Sequence, residues 1–582
     1  MTWRVSACGL VLLVACSSSP AGPLDAAAEA SVDSAAPTDS GSADSTIDDA
    51  SVSDSSEAGL DPYLADAVGV PEHWMEDVTE TAGIAFDRIP AAAFSNYGDR
   101  VGGGVCVLDL DHRPPMDLFF ALRPYDGGGS RLYVSDGPMH FADETSTRGL
   151  SDVGDAMGCL AFDADGDGDD DLLVTGIGSL RLFLADHGVF VDASASLPTL
   201  DPLSAFASAA AGDLDRDGDL DLVVTGYLKY DPGSFVLDCV SCGLVPVPDL
   251  LLLRRADGSY EDVTAGLSVD LSFPEPTLAL QILDLDQDGD MDVLEGNDFG
   301  HRYPNRALLQ QPDGTFRDEA LALGLDRNRR GYRGDSMGLA TGDLNRDGDP
   351  DHVFTSFEGD ATGVFMCNSS GTCVDRALET GTVVLAGTFR WGPALADFDL
   401  DGWLDLAEAT GHLFTDPEIH SLSEEGPMDQ FPNLMASNGD GTLRPIAPTP
   451  DDGRAVRRSL RGIAVTDLDE DGQPDLVFAP AIGSALLLRT VRPPVGHYLR
   501  VTLRGRAPNT GAVGATVTVH AGTSQLMRQR LVGEGYLGNF DPRLFFGVTE
   551  PGPVSVDVRW PDSTTTTIVG VALDGDVTIT QP

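Results

Sequence analysis

The sequence predicts an all-β protein: a seven-bladed β-propeller followed by a small C-terminal β-domain. Three observations carry that prediction. A nine-residue acidic loop, of which Asp163-Ala-Asp165-Gly-Asp167-Gly-Asp169-Asp-Asp171 is the fullest copy, recurs with starts at Asp109, Asp163, Asp213, Asp284, Asp343, Asp397 and Asp467, at intervals of 50 to 71 residues. Each copy runs into a β-prone apolar segment, such as 222–226 (Leu-Val-Val-Thr-Gly) or 476–478 (Leu-Val-Phe). Between loops, Asp-Gly pairs flanked by β-prone residues mark hairpins, as in 131–141, 251–260 and 307–316. A period of this length fits a four-stranded blade or one turn of a solenoid. Seven copies decide for the propeller, because seven is a usual number for ring closure.

The loop chemistry is that of a hard-cation site. Positions 1, 3, 5 and 9 alternate with small or flexible residues, and 26 of these 28 positions are Asp; the exceptions are Asn345, which still offers an oxygen, and Arg113. Glycine at position 6 permits the sharp turn that lets the first three side chains converge. Several charged oxygens and no soft donor suit Ca²⁺, which takes six to eight oxygens, and argue against zinc or copper. The candidate ligands are Asp109, Asp111 and Asp117 in loop 1, and Asp163, Asp165, Asp167, Asp169 and Asp171 in loop 2. Loop 3 offers Asp213, Asp215, Asp217, Asp219 and Asp221, and loop 4 offers Asp284, Asp286, Asp288, Asp290 and Asp292. Loop 5 has Asp343, Asn345, Asp347, Asp349 and Asp351; loop 6 has Asp397, Asp399, Asp401 and Asp405; loop 7 has Asp467, Asp469, Asp471 and Asp475. An EF-hand is excluded. It needs a bidentate Glu at position 12 between two helices, whereas position 12 here is Phe120, Val174, Val224, Glu295, Phe354, Glu408 and Phe478, inside predicted strands.

The repeats resemble FG-GAP (VCBS) repeats, the calcium-binding blades of integrin α-subunit propellers and of many bacterial surface proteins. Glu295-Gly-Asn-Asp-Phe-Gly300 and Ser336-Met-Gly-Leu-Ala-Thr-Gly-Asp343 are similar to the cartilage acidic protein branch of that group. The resemblance covers residues 71–490. It implies an integrin-α-like propeller in which calcium is structural, stiffening hairpin loops at the blade rim, while ligands meet loops on the opposite face or at the domain junction. Loop 1 departs from the pattern: Arg113 replaces a ligand and Pro114 replaces the glycine.

Residues 1–16 have a charged start and an apolar core too short to span a bilayer, as expected of a signal peptide. Their end, Leu13-Val-Ala-Cys16, resembles a bacterial lipobox, which implies cleavage before Cys16, lipidation of its thiol and membrane anchoring; the alternative is a plain secretory signal. Ser17 in place of Asp is compatible with an outer-membrane or cell-surface lipoprotein of a Gram-negative bacterium. Residues 17–70 form an acidic tether rich in Ser, Ala and Asp, with too few large apolar residues to fold. The net charge of −57, with a single lysine, Lys229, repels nucleic acid and anionic surfaces.

Six cysteines lie beyond Cys16, an even number suited to disulfides in an oxidising compartment. Cys367 and Cys373 flank a hairpin turn, which suggests a cross-strand bridge. Cys239 and Cys242 form either a local disulfide or a redox or metal pair. Cys106 and Cys159 precede successive acidic loops and either bridge neighbouring blades or remain buried thiols.

Residues 491–582 lack the acidic loop and alternate Val and Thr. Their landmarks, 497–505, 509–519 and Val558-Arg-Trp-Pro-Asp562, resemble the ASPIC/UnbV domain, with Thr510 and Ser563 where that domain usually has Arg and Gly. Trp560 is expected in its core.

Zinc-protease and phosphate-loop motifs are absent; Gly334-Asp-Ser-Met-Gly338 and Gly533-Glu-Gly-Tyr-Leu-Gly538 match the serine-hydrolase and dinucleotide spacings but lie in β-rich sequence without the strand-to-helix setting those motifs require. The expected function is therefore a calcium-binding, non-catalytic, lipid-anchored envelope protein that binds a protein or polysaccharide. One alternative is a lyase-like enzyme acting on polysaccharide, with Arg454, Arg457, Arg458 and Arg461, or His301 and His412, in the channel; another is an envelope scaffold.

Overall fold

The computed structural model describes residues 69–86, 98–124, 129–230, 245–267, 270–413 and 429–582. The expected leader, tether and Cys16, and the Cys239/Cys242 pair, lie outside the described residues. No helix among the described residues is long and apolar enough to cross a membrane.

The fold is a β-propeller. Among the described residues, seven sheets follow one another, and their first strands are Gly104–Leu108, Ala156–Phe162, Ser204–Gly212, Thr277–Leu283, Ser336–Gly342, Arg390–Ala396 and Ser459–Thr466. Each first strand packs against the first strand of the next sheet, and the seventh packs against the first, so the ring closes. These inner strands are buried on both faces, which explains their apolar runs without alternation, such as Ala156-Met-Gly-Cys-Leu-Ala-Phe162. The ring is sealed by chain from its N-terminal side. Met75–Asp77 is the outermost strand of blade 7, antiparallel to Leu486–Thr490, and Val70–Glu72 adds a parallel fifth strand to blade 6. The sequence repeats hide this arrangement because blade 7 begins at Ser459 but takes its last strand from residues almost 400 positions earlier.

Among the described residues there are two disulfides. Cys106–Cys159 ties the inner strands of blades 1 and 2, and Cys367–Cys373 staples the outer hairpin of blade 5.

The C-terminal module is a two-sheet sandwich. His497–Arg504 lies between Leu544–Val548, antiparallel to it, and Gly575–Thr580, parallel to it. The second sheet orders Ser524–Gln529, Thr516–Ala521, Val554–Arg559 and Thr565–Val571. Thr516–Ala521 and Val554–Arg559 bury every second residue, the mark of strands with one face in the core. Trp560 is 1% exposed within that core, and its indole N–H donates to Thr566 Oγ1 at 2.8 Å.

The module is docked, and one of its loops fills the propeller axis. Inner strands are sheet edges with unpaired N–H and C=O groups facing the channel, and such groups need partners when buried. Residues 532–541 supply them. Val107 N donates to Asn539 O, Cys159 N to Leu537 O, Ala211 N to Val532 O and Asp541 N to Val465 O, at 3.0 to 3.2 Å. Leu339 and Gly535 exchange a pair of such bonds. Blades 1, 2, 3, 5 and 7 are thereby held by a single loop. The Tyr536 hydroxyl donates to Val101 O at 2.9 Å, and its ring lies 5.4 Å from that of Trp391.

Candidate metal centre

The acidic loops join the first and second strands of their blades, and they share one backbone path. Position 4 is left-handed in all seven: His112, Gly166, Arg216, Gln287, Arg346, Leu400 and Glu470 have φ between 56° and 82°. Position 6 is glycine with φ of 86° to 101° in loops 2 to 7, a conformation costly for any residue with a Cβ. The N–H of that glycine donates to the position-1 carboxylate in each, from 2.8 Å in loop 7 to 3.3 Å in loop 4. Pro114 has no N–H to give, so loop 1 lacks this bond. It keeps the bonds from position 5, where Arg113 N donates to Asp109 Oδ1 and Asp111 Oδ1, as Asp167 N, Asp347 N and Asp471 N donate to positions 1 and 3 in loops 2, 5 and 7.

Position 9 has a second role that the sequence did not disclose. In all seven loops one oxygen of this aspartate accepts the N–H of position 2, at 2.7 to 3.1 Å. Its other oxygen accepts an N–H from the third strand of the blade, at 2.6 to 2.9 Å. Asp117, Asp171, Asp221, Asp292, Asp351, Asp405 and Asp475 thus pin loop, second strand and third strand together. Their register in sequence is the only signal for this; the third-strand partner is visible only in three dimensions.

The carboxylates converge as the sequence requires. In loops 2, 3, 4 and 6 an oxygen from each of three aspartates lies within 4.8 Å of the other two: Asp163/Asp165/Asp171, Asp213/Asp215/Asp217, Asp284/Asp286/Asp292 and Asp397/Asp399/Asp405. Burial, reinforced by neighbouring carboxylates, pushes Asp171, Asp221, Asp292 and Asp397 up to about 8 and Asp117 and Asp351 up to about 7. Asp405 and Asp475 are raised well above the usual range for the same reasons. Asp213 Oδ1 and Asp399 Oδ1 are buried without a hydrogen-bond partner. Grouped hard oxygens, mutual repulsion and orphaned acceptors fit a divalent cation such as Ca²⁺.

The module sits over these loops. Arg500 is 4% exposed at its side chain and its guanidinium reaches Asp467 Oδ2 at 2.8 Å, Glu470 at 2.6 Å and Asp576 at 2.5 Å. Arg559 contacts Asp284 Oδ2 at 3.0 Å, and Thr510 Oγ1 donates to Asp163 Oδ2. Arg528 stands beside Asp343 and Asp397 and offsets part of their charge. Gly547 passes so close to Asp397 that a Cβ there would lie 2.0 Å from its Oδ2. The position-1 aspartates of loops 2, 4 and 7 therefore face donors of the module. The sequence singled out Thr510 only as a departure from its family, and offered no sign of the arginines.

The other sequence candidates scatter. Arg454 is buried and tied to Asp452 and to Ile446 O. Arg461 donates to Arg100 O at 2.5 Å and stacks 4.0 Å from Trp391. Arg457 lies over Phe431 and Arg458 near Asp77. His412 is buried 3.4 Å from Glu358, whereas His301 is exposed.

Two family matches fall within this architecture. Residues 163–224 and 284–354 match the FG-GAP-like repeat family, and residues 505–582 match the ASPIC and UnbV family. Cartilage acidic protein 1 of Xenopus tropicalis is 29% identical over 276 residues, 47% of this chain and 39% of that protein. Its Homo sapiens counterpart is 29% identical over 278 residues with the same coverage, so the match spans about two fifths of these relatives' length. Among solved structures, an Agrocybe aegerita lectin described as recognising non-reducing terminal N-acetylglucosamine aligns at 14% identity and a TM-score of 0.36, over 67% of this chain and 90% of its own. Exotype rhamnogalacturonan lyase YesX aligns at 12% and 0.36, over 68% and 72%. The chain thus carries FG-GAP-like repeats within its propeller and an ASPIC and UnbV match in its C-terminal module, and over 47% of its length it is similar to cartilage acidic protein 1 at 29% identity.

Proposed function

We propose that this chain is a calcium-stiffened, non-catalytic binding protein exported to the cell envelope and held there through Cys16. It takes a protein or glycan ligand on the propeller face away from the module. The observation that carries the calcium reading is the shared loop geometry, in which buried aspartates crowd together and keep oxygens without partners. A cation filling a loop at a hundredfold over its Kd would add about 2.7 kcal/mol of stability.

The choice of face follows from the docking. The module covers acidic loops and occupies the axis, which leaves the connections between second and third strands and the crossings from one blade to the next. There Gly300 abuts Gly334, bringing together segments that carry the exposed His301, Arg302, Arg330 and Tyr332, the last 69% exposed. The non-catalytic reading is supported by Arg454 and Arg461, whose guanidiniums bind Asp452 and backbone carbonyls.

The test is calcium titration by calorimetry, with melting curves in calcium and in chelator. Six or seven sites and a large loss of Tm in chelator are expected. An unchanged melt with no heat of binding would sink the calcium reading. Incubation with acidic polysaccharides, monitored for unsaturated product, tests the lyase alternative, and product formation would overturn the non-catalytic one.

A further inference from the structure

The seven blades supply their own internal comparison. The residue after position 9 is apolar in six of them, namely Leu118, Leu172, Leu222, Val293, Leu406 and Leu476, but in blade 5 it is His352. On the outer hairpin, Phe141, Phe190, Tyr260, Phe316 and Leu443 pair with Ser135, Ala185, Arg254, Gln310 and Ser437, whereas blade 5 pairs Cys373 with Cys367. One blade thus carries three departures at once.

The three side chains meet. His352, Cys367 and Cys373 are all buried, and one potential ligand atom from each lies within 4.8 Å of the other two. His352 Nδ1 is 2.9 Å from Thr341 Oγ1, and Thr341 gives its single hydroxyl proton to Gln281 Oε1. A Thr341 hydroxyl spent on Gln281 accepts from Nδ1–H, the tautomer that leaves the lone pair on Nε2. That nitrogen is enclosed and has no hydrogen-bond partner. A histidine fixed through one nitrogen, with the other free beside two sulfurs, is arranged as metal-ligating histidines are. Without a ligand, the same group is a buried acceptor that merely costs desolvation at a position where leucine would serve.

In this structure Cys367 and Cys373 are joined, and the thiolate, not the disulfide, is the strong ligand. We propose that the blade-5 cluster is a redox-gated site for a thiophilic d¹⁰ cation, Zn²⁺ or Cu⁺, formed when a dithiol reduces the Cys367–Cys373 bond. The dithiol's two electrons break the S–S bond, it becomes a disulfide itself, and its two protons pass to the cysteine sulfurs. The cation then binds both thiolates and His352 Nε2, and the two protons leave to solvent. Soft sulfur with imidazole selects such ions, whereas the all-oxygen loops select Ca²⁺. Cys367 and Cys373 are 7% and 4% exposed, so a reductant reaches the bond when the turn between them, whose residues 368–370 are exposed, opens.

The test uses the full chain in saturating calcium, in a Cys239→Ser/Cys242→Ser background, with Cys106→Ser/Cys159→Ser as a further control because the bridge between blades 1 and 2 is open to the same reductant. After reduction with dithiothreitol and its anaerobic removal, Co²⁺ is titrated and thiolate-to-metal charge-transfer absorption is recorded, a signal that carboxylate loops cannot produce. One equivalent is expected only after reduction, displaced by Zn²⁺ in one arm and by Cu⁺ in the other. His352→Leu, which restores the residue type of the other blades, is expected to weaken binding at least ~10-fold. The proposal fails if no band forms or if reduction unfolds blade 5. It fails equally if the band survives Cys367→Ser/Cys373→Ser, or if His352→Leu binds as tightly as the parent.

Discussion

Arg500→Met removes the most heavily used staple between module and propeller while keeping an apolar stem of similar length. The guanidinium satisfies Asp467, Glu470 and Asp576, and Asp467 is 0% exposed at its side chain. Breaking a buried pair from one side typically costs about 3–5 kcal/mol, because the remaining charge keeps no partner. Arg543 still reaches Glu470 at 2.9 Å, which places the expected cost at the lower end, about 3 kcal/mol. The loss should appear in opening of the docked module, hence in hydrogen exchange of the axial-loop amides of Gly535, Asn539 and Asp541. At 1.4 kcal/mol per factor of ten, protection falls roughly 100-fold in chelator. Calcium in loop 7 would neutralise Asp467 by itself, so the same substitution in saturating calcium should cost less than half as much. Unchanged exchange of the axial loop in chelator would refute the idea that Arg500 holds the module down. An equal loss with and without calcium would refute the sharing of Asp467 between arginine and cation.

The two roles within a loop separate by mutation. Asp221→Ala orphans two backbone amides and should cost about 2–4 kcal/mol in chelator, with a further loss in calcium because a candidate ligand goes as well, measured by denaturant unfolding. Asp215→Ala, at an exposed position, should cost stability only when calcium is present. Loop 1 should be silent, so that Arg113→Asp with Pro114→Gly adds one equivalent of calcium in calorimetry. Glu534, beside Arg530, is pushed by burial from 4.5 to about 7. A raised carboxyl keeps its proton longer in the folded state, so its contribution is fully present below pH 4.5 and is lost as pH rises to 7, by up to about 3 kcal/mol. Glu534→Gln should remove that slope from the stability of the docked loop, and an unchanged slope would assign it elsewhere.

Much of the architecture is a matter of local chemistry and is legible in the chain. The Asp and Gly spacing of each loop dictates a tight turn with converging oxygens, the Asp-Gly pairs dictate hairpins, and the apolar runs dictate strands buried on both faces. Repetition turns these local rules into a count of blades. Alternation of Val and Thr similarly announces the module and places Trp560 in its core. Other features depend on which distant surfaces meet. The third-strand amide held by each position-9 aspartate and the closure of blade 7 by Met75–Asp77 join residues that no local pattern links, and of the two alternatives open for Cys106 and Cys159 the fold selects the bridge. The axial loop could not be foreseen either. Gly533-Glu-Gly-Tyr-Leu-Gly538 reads as an ordinary glycine-rich turn, and only the ring of unpaired inner-strand amides gives it partners. The sequence determined what each repeat can hold, because ligand spacing is a property of a few successive residues. The tertiary structure decided which face those repeats show to the module, because a channel lined with unmet hydrogen-bonding groups and a face of crowded carboxylates must be covered by whatever the fold brings over them.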